Sequence, residues 1–182
     1  MSLLMKPSMG MCKISKPIRN GRNLVEYVHF IRYNQLMEED FNTPSPRKKP
    51  EIIEGWNKNV LLADDDKELL KMTALTLRKM GCTVETVDDG VKLLARLDNT
   101  KPGEFGLVVT DREMPGMDGA QVLAKIRADE RYKNLPAILY SGNLNSEIRE
   151  TVEKLGYVCL DKPSSIIKFN EAIKSALAKS VK

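Results

Sequence analysis

The chain has 182 residues, 42% hydrophobic and 30% charged, with a formal net charge of +4. That length suits one well-buried domain plus an extension, and the composition is that of a globular protein rather than a disordered or fibrous one. No apolar run approaches the roughly 18–20 residues that span a bilayer, the start has no continuous apolar stretch of the secretory type, and three cysteines without metal-ligand spacing (Cys12, Cys82, Cys159) point to a reducing, cytoplasmic setting.

The charge is unevenly placed. Residues 1–58 hold ten Lys/Arg and six Asp/Glu, whereas residues 59–182 hold nineteen of each. The excess in the first third is too small to argue for a nucleic-acid partner. Within it, Leu24, Tyr27, Val28 and Ile31 fall on one helical face. Asn23 is placed to cap that helix, with Glu26 at the third position. The spacing predicts an amphipathic helix over 23–39, with His29, the only histidine, as an ordinary face residue. Pro44, Pro46, Pro50 and the basic triplet Arg47-Lys48-Lys49 then read as a linker over 42–58. Thr43-Pro44 and Ser45-Pro46 belong to the same linker chemistry. Residues 1–58 are therefore expected to be an extension and 59–182 a domain.

After residue 58 the alternation is regular. Val60–Ala63 predicts a buried strand, and Lys67–Met80 a helix with Asp66 as its cap and Gly81 as its stop. Strands are expected at Thr83–Val87, Leu107–Thr110, Ala137–Tyr140 and Tyr157–Leu160. Helices are expected at Gly90–Leu97, Ala120–Ala128, Ser146–Leu155 and Ile166–Ala178. Five strands alternating with five helices imply an α/β domain with a parallel sheet covered on both faces.

In such a sheet the strand C-termini share one edge, where open α/β sheets keep their sites. Asp64-Asp65 end the first strand, Asp111 the third and Ser141 the fourth, while Lys162 follows the fifth. Three clustered carboxylates repel one another and need a cation or raised pKa values. A small hard divalent ion such as Mg²⁺, bound through oxygen, relieves that repulsion. Metal, ammonium and hydroxyl together suit the oxygens of a phosphoryl group in transfer. Asp111 is placed to be the nucleophile that forms an acyl phosphate.

Four blocks carry a family resemblance: Val60-Leu61-Leu62-Ala63-Asp64-Asp65-Asp66, Thr110-Asp111-Arg112-Glu113-Met114-Pro115-Gly116-Met117-Asp118-Gly119, Pro136 to Gly142, and Asp161-Lys162-Pro163. Together they resemble the receiver domain of two-component and phosphorelay response regulators, from residue 59 to about 180. The resemblance implies a flavodoxin-like fold with strand order 2-1-3-4-5. It implies Asp111 as phospho-acceptor from a histidine kinase or phosphotransfer protein, in a chain that is not a classical enzyme but catalyses its own aspartyl phosphorylation and dephosphorylation. Asp65 would bind Mg²⁺ directly, Asp64 through water, and the backbone carbonyl of Glu113 would be the third protein ligand. Ser141 and Lys162 would contact the phosphoryl oxygens, Glu113 and Asn143 would tune its lifetime, and Met114-Pro115 and Gly119 would shape the loop. The face of the fourth helix, fifth strand and fifth helix would engage a downstream protein or a second copy of the chain. A DNA-binding output is not expected, since no recognisable output motif follows.

Two positions depart from the family pattern. Cys159 stands three residues before Lys162, where an aromatic switch residue is common, and Tyr157 is out of register for that role. Ser164 follows Lys162-Pro163, where an aromatic is also common, so the last loop is expected to be altered. Cys159 itself reads as a small buried strand residue. The departures motivate an alternative, a phosphorylation-independent receiver-like interaction module. A metal-dependent aspartyl phosphatase is a further alternative, weakened by Glu113 standing where such enzymes place a second Asp.

Overall fold

Apolar and β-branched residues concentrate in five short runs, and each run becomes a strand. The computed structural model describes residues 55–180. The expected helix over 23–39, most of the linker, and His29, Thr43 and Ser45 lie outside the described residues. The elements run β1 (Asn59–Ala63), α1 (Lys67–Lys79), β2 (Thr83–Val87), α2 (Gly90–Asp98), β3 (Leu107–Thr110), α3 (Gly119–Ala128), β4 (Ala137–Ser141), α4 (Ser146–Lys154), β5 (Val158–Asp161) and α5 (Ile166–Ser180). The strands form one sheet in the order β2-β1-β3-β4-β5, and all four pairings are parallel.

Alternation along the strands divides the core in two. Leu61, Ala63, Val108 and Leu139 face α2, α3 and α4, where Leu93, Val122, Leu123 and Val152 meet them. Val60, Leu62, Val109 and Ile138 face α1 and α5, against Leu77, Phe169 and Ile173. Residues of β1, β3 and β4 are buried on both faces. Fully burying one Leu, Ile or Val side chain contributes about 1.5–3 kcal/mol, so these three strands form the rigid centre that carries the site.

Helix ends follow their sequence signals. The Asp66 carboxylate accepts from the Glu68 and Leu69 amides and caps α1. Asp118 and Gln121 form a capping box on α3, which therefore begins at Gly119, one residue before the expected start. Gly81 and Gly156 take positive φ after α1 and α4. In both, the next residue bonds back into the last helical turn, Cys82 to the Leu77 carbonyl and Tyr157 to the Val152 carbonyl. Tyr157 is thus committed to ending α4, and β5 starts one residue later than its hydrophobic pattern predicts.

Candidate functional site

Each strand that reaches the C-terminal edge delivers one polar group there. Asp64 and Asp65 follow β1, and Asp111 follows β3 with its amide bonded to the Ala63 carbonyl at 2.8 Å, which locks the two acidic ends side by side. Asp64 and Asp111 are buried and Asp65 is exposed, and one carboxylate oxygen from each lies within 4.8 Å of the others. Lys162 reaches into this cluster after β5. Its Nζ donates to Asp64 Oδ2 at 2.6 Å and to Asp111 Oδ1 at 2.9 Å, and its side chain is only 10% exposed. The Lys162 amide donates to the Ser141 carbonyl at 2.9 Å, which ties the lysine's backbone to the end of β4.

Electrostatics in the pocket are set by burial against pairing. Desolvation pushes the Asp64 carboxyl up to about 6, although the Lys162 ammonium pulls the other way. Asp65 is also raised, first by desolvation and then by the Asp111 charge. Burial alone would lower the Lys162 pKa, but the Asp64 and Asp111 carboxylates outweigh it and hold the ammonium above its ordinary value. Two buried carboxylates share one ammonium, so the cluster carries residual negative charge facing an open third carboxylate. Its donors are all hard oxygens, the set that suits a small divalent cation.

Backbone shape makes room for this arrangement. A Cβ on Gly119 would lie 2.0 Å from the Asp111 carbonyl, so α3 can start this close to the acidic strand end only with glycine there. Gly116 takes φ +76° in the intervening loop, and Met114 of the same loop is buried in the core on the α2-α3-α4 side of the sheet. The Asp111 Oδ2 atom accepts from the Glu113 amide at 3.1 Å, which orients the carboxylate from its own loop.

Ser141, the last residue of β4, is buried, and its Oγ accepts from the Asn143 amide at 3.4 Å. The Asn143 side chain donates to Glu113 Oε1 at 3.0 Å, joining the two positions that the sequence singles out beside Asp111 and Ser141. Cys159 pairs with Leu139 and packs on the α2-α3-α4 side of the sheet, half-buried rather than fully buried. Burial pushes its thiol up to about 11, well away from thiolate reactivity. Tyr157 lies in the same core cluster with Arg127 stacked on its ring at 4.3 Å, and takes no part in the pocket.

Two participants escape a motif reading. Tyr140 stacks edge-on against Phe169 at 4.8 Å between centroids, lies 5.4 Å from Lys162 Nζ, and accepts the buried Ser164 amide on its hydroxyl at 3.2 Å. The aromatic support missing at Ser164 is thus supplied from β4, and Ser164 becomes a buried turn residue whose Oγ donates to the Asp161 carbonyl. Arg112 donates to the Asn143 carbonyl at 2.6 Å across the two loops. Its only sequence signal is adjacency to Asp111.

The response regulator receiver domain family matches residues 60–174. The chain belongs to that family. Chemotaxis protein CheY-3 of Vibrio cholerae is 37% identical over 98 residues, which is 53% of this chain and 73% of that protein. Chemotaxis protein CheV2 of Helicobacter pylori is 33% identical over 129 residues, covering 66% of this chain and 39% of that protein. Among solved structures, chemotaxis response regulator CheY4 of Vibrio cholerae superposes with a TM-score of 0.58 at 26% identity, covering 65% of this chain and 98% of that one. A CheY-like receiver domain protein from Methanospirillum hungatei gives a TM-score of 0.60, also at 26% identity, over 68% and 96%. The receiver fold is therefore established, and the Asp64/Asp65/Asp111/Lys162 pocket is typical of a receiver's phospho-acceptor site, its acidic trio consistent with a receiver metal site. Receiver domains act with histidine kinases in two-component signalling. No helix among the described residues of this receiver is long and apolar enough to cross a membrane.

Proposed function

We propose that this receiver accepts a phosphoryl group on Asp111 from a histidine kinase or phosphotransfer protein and thereby switches partner binding. The observation that carries the reading is Lys162 Nζ bridging Asp64 and Asp111 within 2.9 Å while Asp65 completes an oxygen cluster. An Asp111 carboxylate oxygen attacks the phosphorus of a phosphohistidine. The P–O bond forms as the P–N bond breaks, and the imidazole keeps the electron pair and takes a proton from solvent. Asp65 directly, Asp64 through water, Asp111 and the Glu113 carbonyl would hold Mg²⁺, which when bound neutralises charge on the phosphoryl oxygens. Lys162 releases its ion pair to a phosphoryl oxygen, and the Ser141 hydroxyl donates to another.

Hydrolysis returns the carboxylate when water attacks the same phosphorus. Glu113 and Asn143, hydrogen-bonded to each other beside the acceptor, are placed to govern that water. The output face is α4-β5-α5, where Arg149 of α4 pairs with Asp161 at the end of β5. Cys159 on that strand offers no ring to rotate, so the change passes through loop displacement rather than an aromatic flip.

Acetyl phosphate and Mg²⁺ should add the mass of one phosphoryl group to the full chain. Asp111→Asn should abolish the gain, and an undiminished gain in that variant would overturn the acceptor assignment. Partner binding that ignores both phosphorylation and Asp111→Ala would instead favour the phosphorylation-independent interaction module.

A further inference from the structure

Arg112 links the two loops that flank the acceptor, beside the Asn143–Glu113 bond. It extends from the β3–α3 loop, and its Nη1 donates to the Asn143 carbonyl in the β4–α4 loop at 2.6 Å, thirty-one residues away. Its side chain is only 20% exposed, although the bond itself lies on the exposed surface of the two loops. Its own carbonyl accepts the Gly119 amide at 2.8 Å, which fixes the base of the arginine to the first turn of α3. The arginine is therefore a strut whose backbone is held by the first turn of α3 and whose guanidinium grips residue 143.

Residue 143 is also where Ser141 is held. The Asn143 amide donates to Ser141 Oγ at 3.4 Å, so the oxygen of the hydroxyl that must turn toward a phosphoryl oxygen is tethered to its own loop. Freeing it requires residues 141–143 to shift against residues 111–113, and Arg112 is bonded across that line of movement. A second seat lies close by. Arg112 Nε is buried without a hydrogen-bond partner, and Asp118 Oδ2 is 3.8 Å from it, just outside bonding range. Nη1 also lies 3.9 Å from Glu113 Oε1, so two carboxylates stand beside the guanidinium and can hold it when the Asn143 carbonyl is released.

From this we propose that Arg112 is a positioning residue that holds the Ser141 loop in the unphosphorylated arrangement and thereby sets how readily Asp111 and its surroundings adopt the phosphorylated one. The inference rests on the phosphoryl-acceptor reading above. A contact made in only one of two states biases the equilibrium by its full differential strength. A hydrogen bond from a charged donor is stronger than one from a neutral donor. Removing it should favour the switched form, the reverse of what general damage to the pocket would do.

The test is titration of the full chain with beryllofluoride in saturating Mg²⁺, a phosphoryl mimic that needs no kinase. Arg112→Ala should bind it about fivefold more tightly or better. Arg112→Lys, which keeps one cationic donor, should return toward wild type. Mg²⁺ affinity without beryllofluoride should stay unchanged, because Arg112 bonds none of the three pocket aspartates. Amide exchange at Asn143–Asn145 should quicken in Arg112→Ala with the β3 amides unaffected. Equal or weaker beryllofluoride binding by Arg112→Ala, or unchanged exchange at Asn143, would overturn the strut. No binding by the wild type would overturn the phosphoryl reading itself, and the inference with it.

Discussion

At Asp64 burial and pairing pull in opposite directions, and burial wins. Its carboxyl is raised from 3.8 to about 6, with the Lys162 ammonium 2.6 Å away. A carboxyl raised by folding binds its proton more tightly in the folded state. It therefore adds stability as pH falls from about 6 toward the unfolded value of 3.8, and that contribution is lost as pH rises through 6. Above that range the ionised group is a standing cost to the metal-free fold. Asp64→Asn should raise metal-free stability at pH 7 by about 1–3 kcal/mol in denaturant unfolding, with the gain closing toward pH 4. A cation needs the ionised carboxylate, so apparent Mg²⁺ affinity should be level above pH 7. Below about pH 6 it should fall, approaching about tenfold per pH unit for one displaced proton. Calorimetry across that range reads both the affinity and the proton released.

Among the elements, the junction of β3 with α3 sets where Asp111 sits in the pocket. Asp111 is tied to β1 through its amide, and Gly119 lets α3 begin against the Asp111 carbonyl. Gly119→Ala gains intrinsic helix propensity of about 1 kcal/mol. The added methyl would meet that carbonyl at 2.0 Å and Leu139 Cδ1 at 3.0 Å, and rigid backbone cannot yield cheaply. The clash should dominate, with a net loss of about 2–3 kcal/mol in unfolding experiments. The helix and strand pattern was legible because periodicity, caps and stop glycines agree. The exceptions are instructive: β5 starts at Val158 because Tyr157 is consumed in ending α4, a competition that hydrophobic alternation does not express. The Tyr140–Ser164 bond was equally hidden, since it joins two residues that neither motif marks as partners.

At the scale of the molecule, the acidic pocket and the proposed output face lie at different places on one sheet. Asp111 ends the central strand, while α4, β5 and α5 occupy one edge. Ser141 joins them, because its carbonyl accepts the Lys162 amide that follows β5. Phosphorylation should therefore act on that edge by moving the β4–α4 loop, and a second copy of the chain is one candidate for the partner received there. Solution mass of the full chain should rise toward that of a dimer with beryllofluoride and Mg²⁺ and stay monomeric without them. An unchanged mass with saturated mimic would remove the homodimer and leave a heterologous partner.

By itself the sequence determined the element order, the parallel sheet and the pocket residues Asp64, Asp65, Asp111 and Lys162. Those properties are local: period, turn chemistry, and carboxylates placed at strand ends whose direction the alternation fixes. Tertiary structure alone decided which groups touch. It set Lys162 between Asp64 and Asp111, paired Glu113 with Asn143, let Tyr140 support the altered last loop and laid Arg112 across to the Asn143 carbonyl. Such contacts join residues about 24 to 98 positions apart in the chain. Their existence depends on sheet register and helix packing, which no single segment encodes.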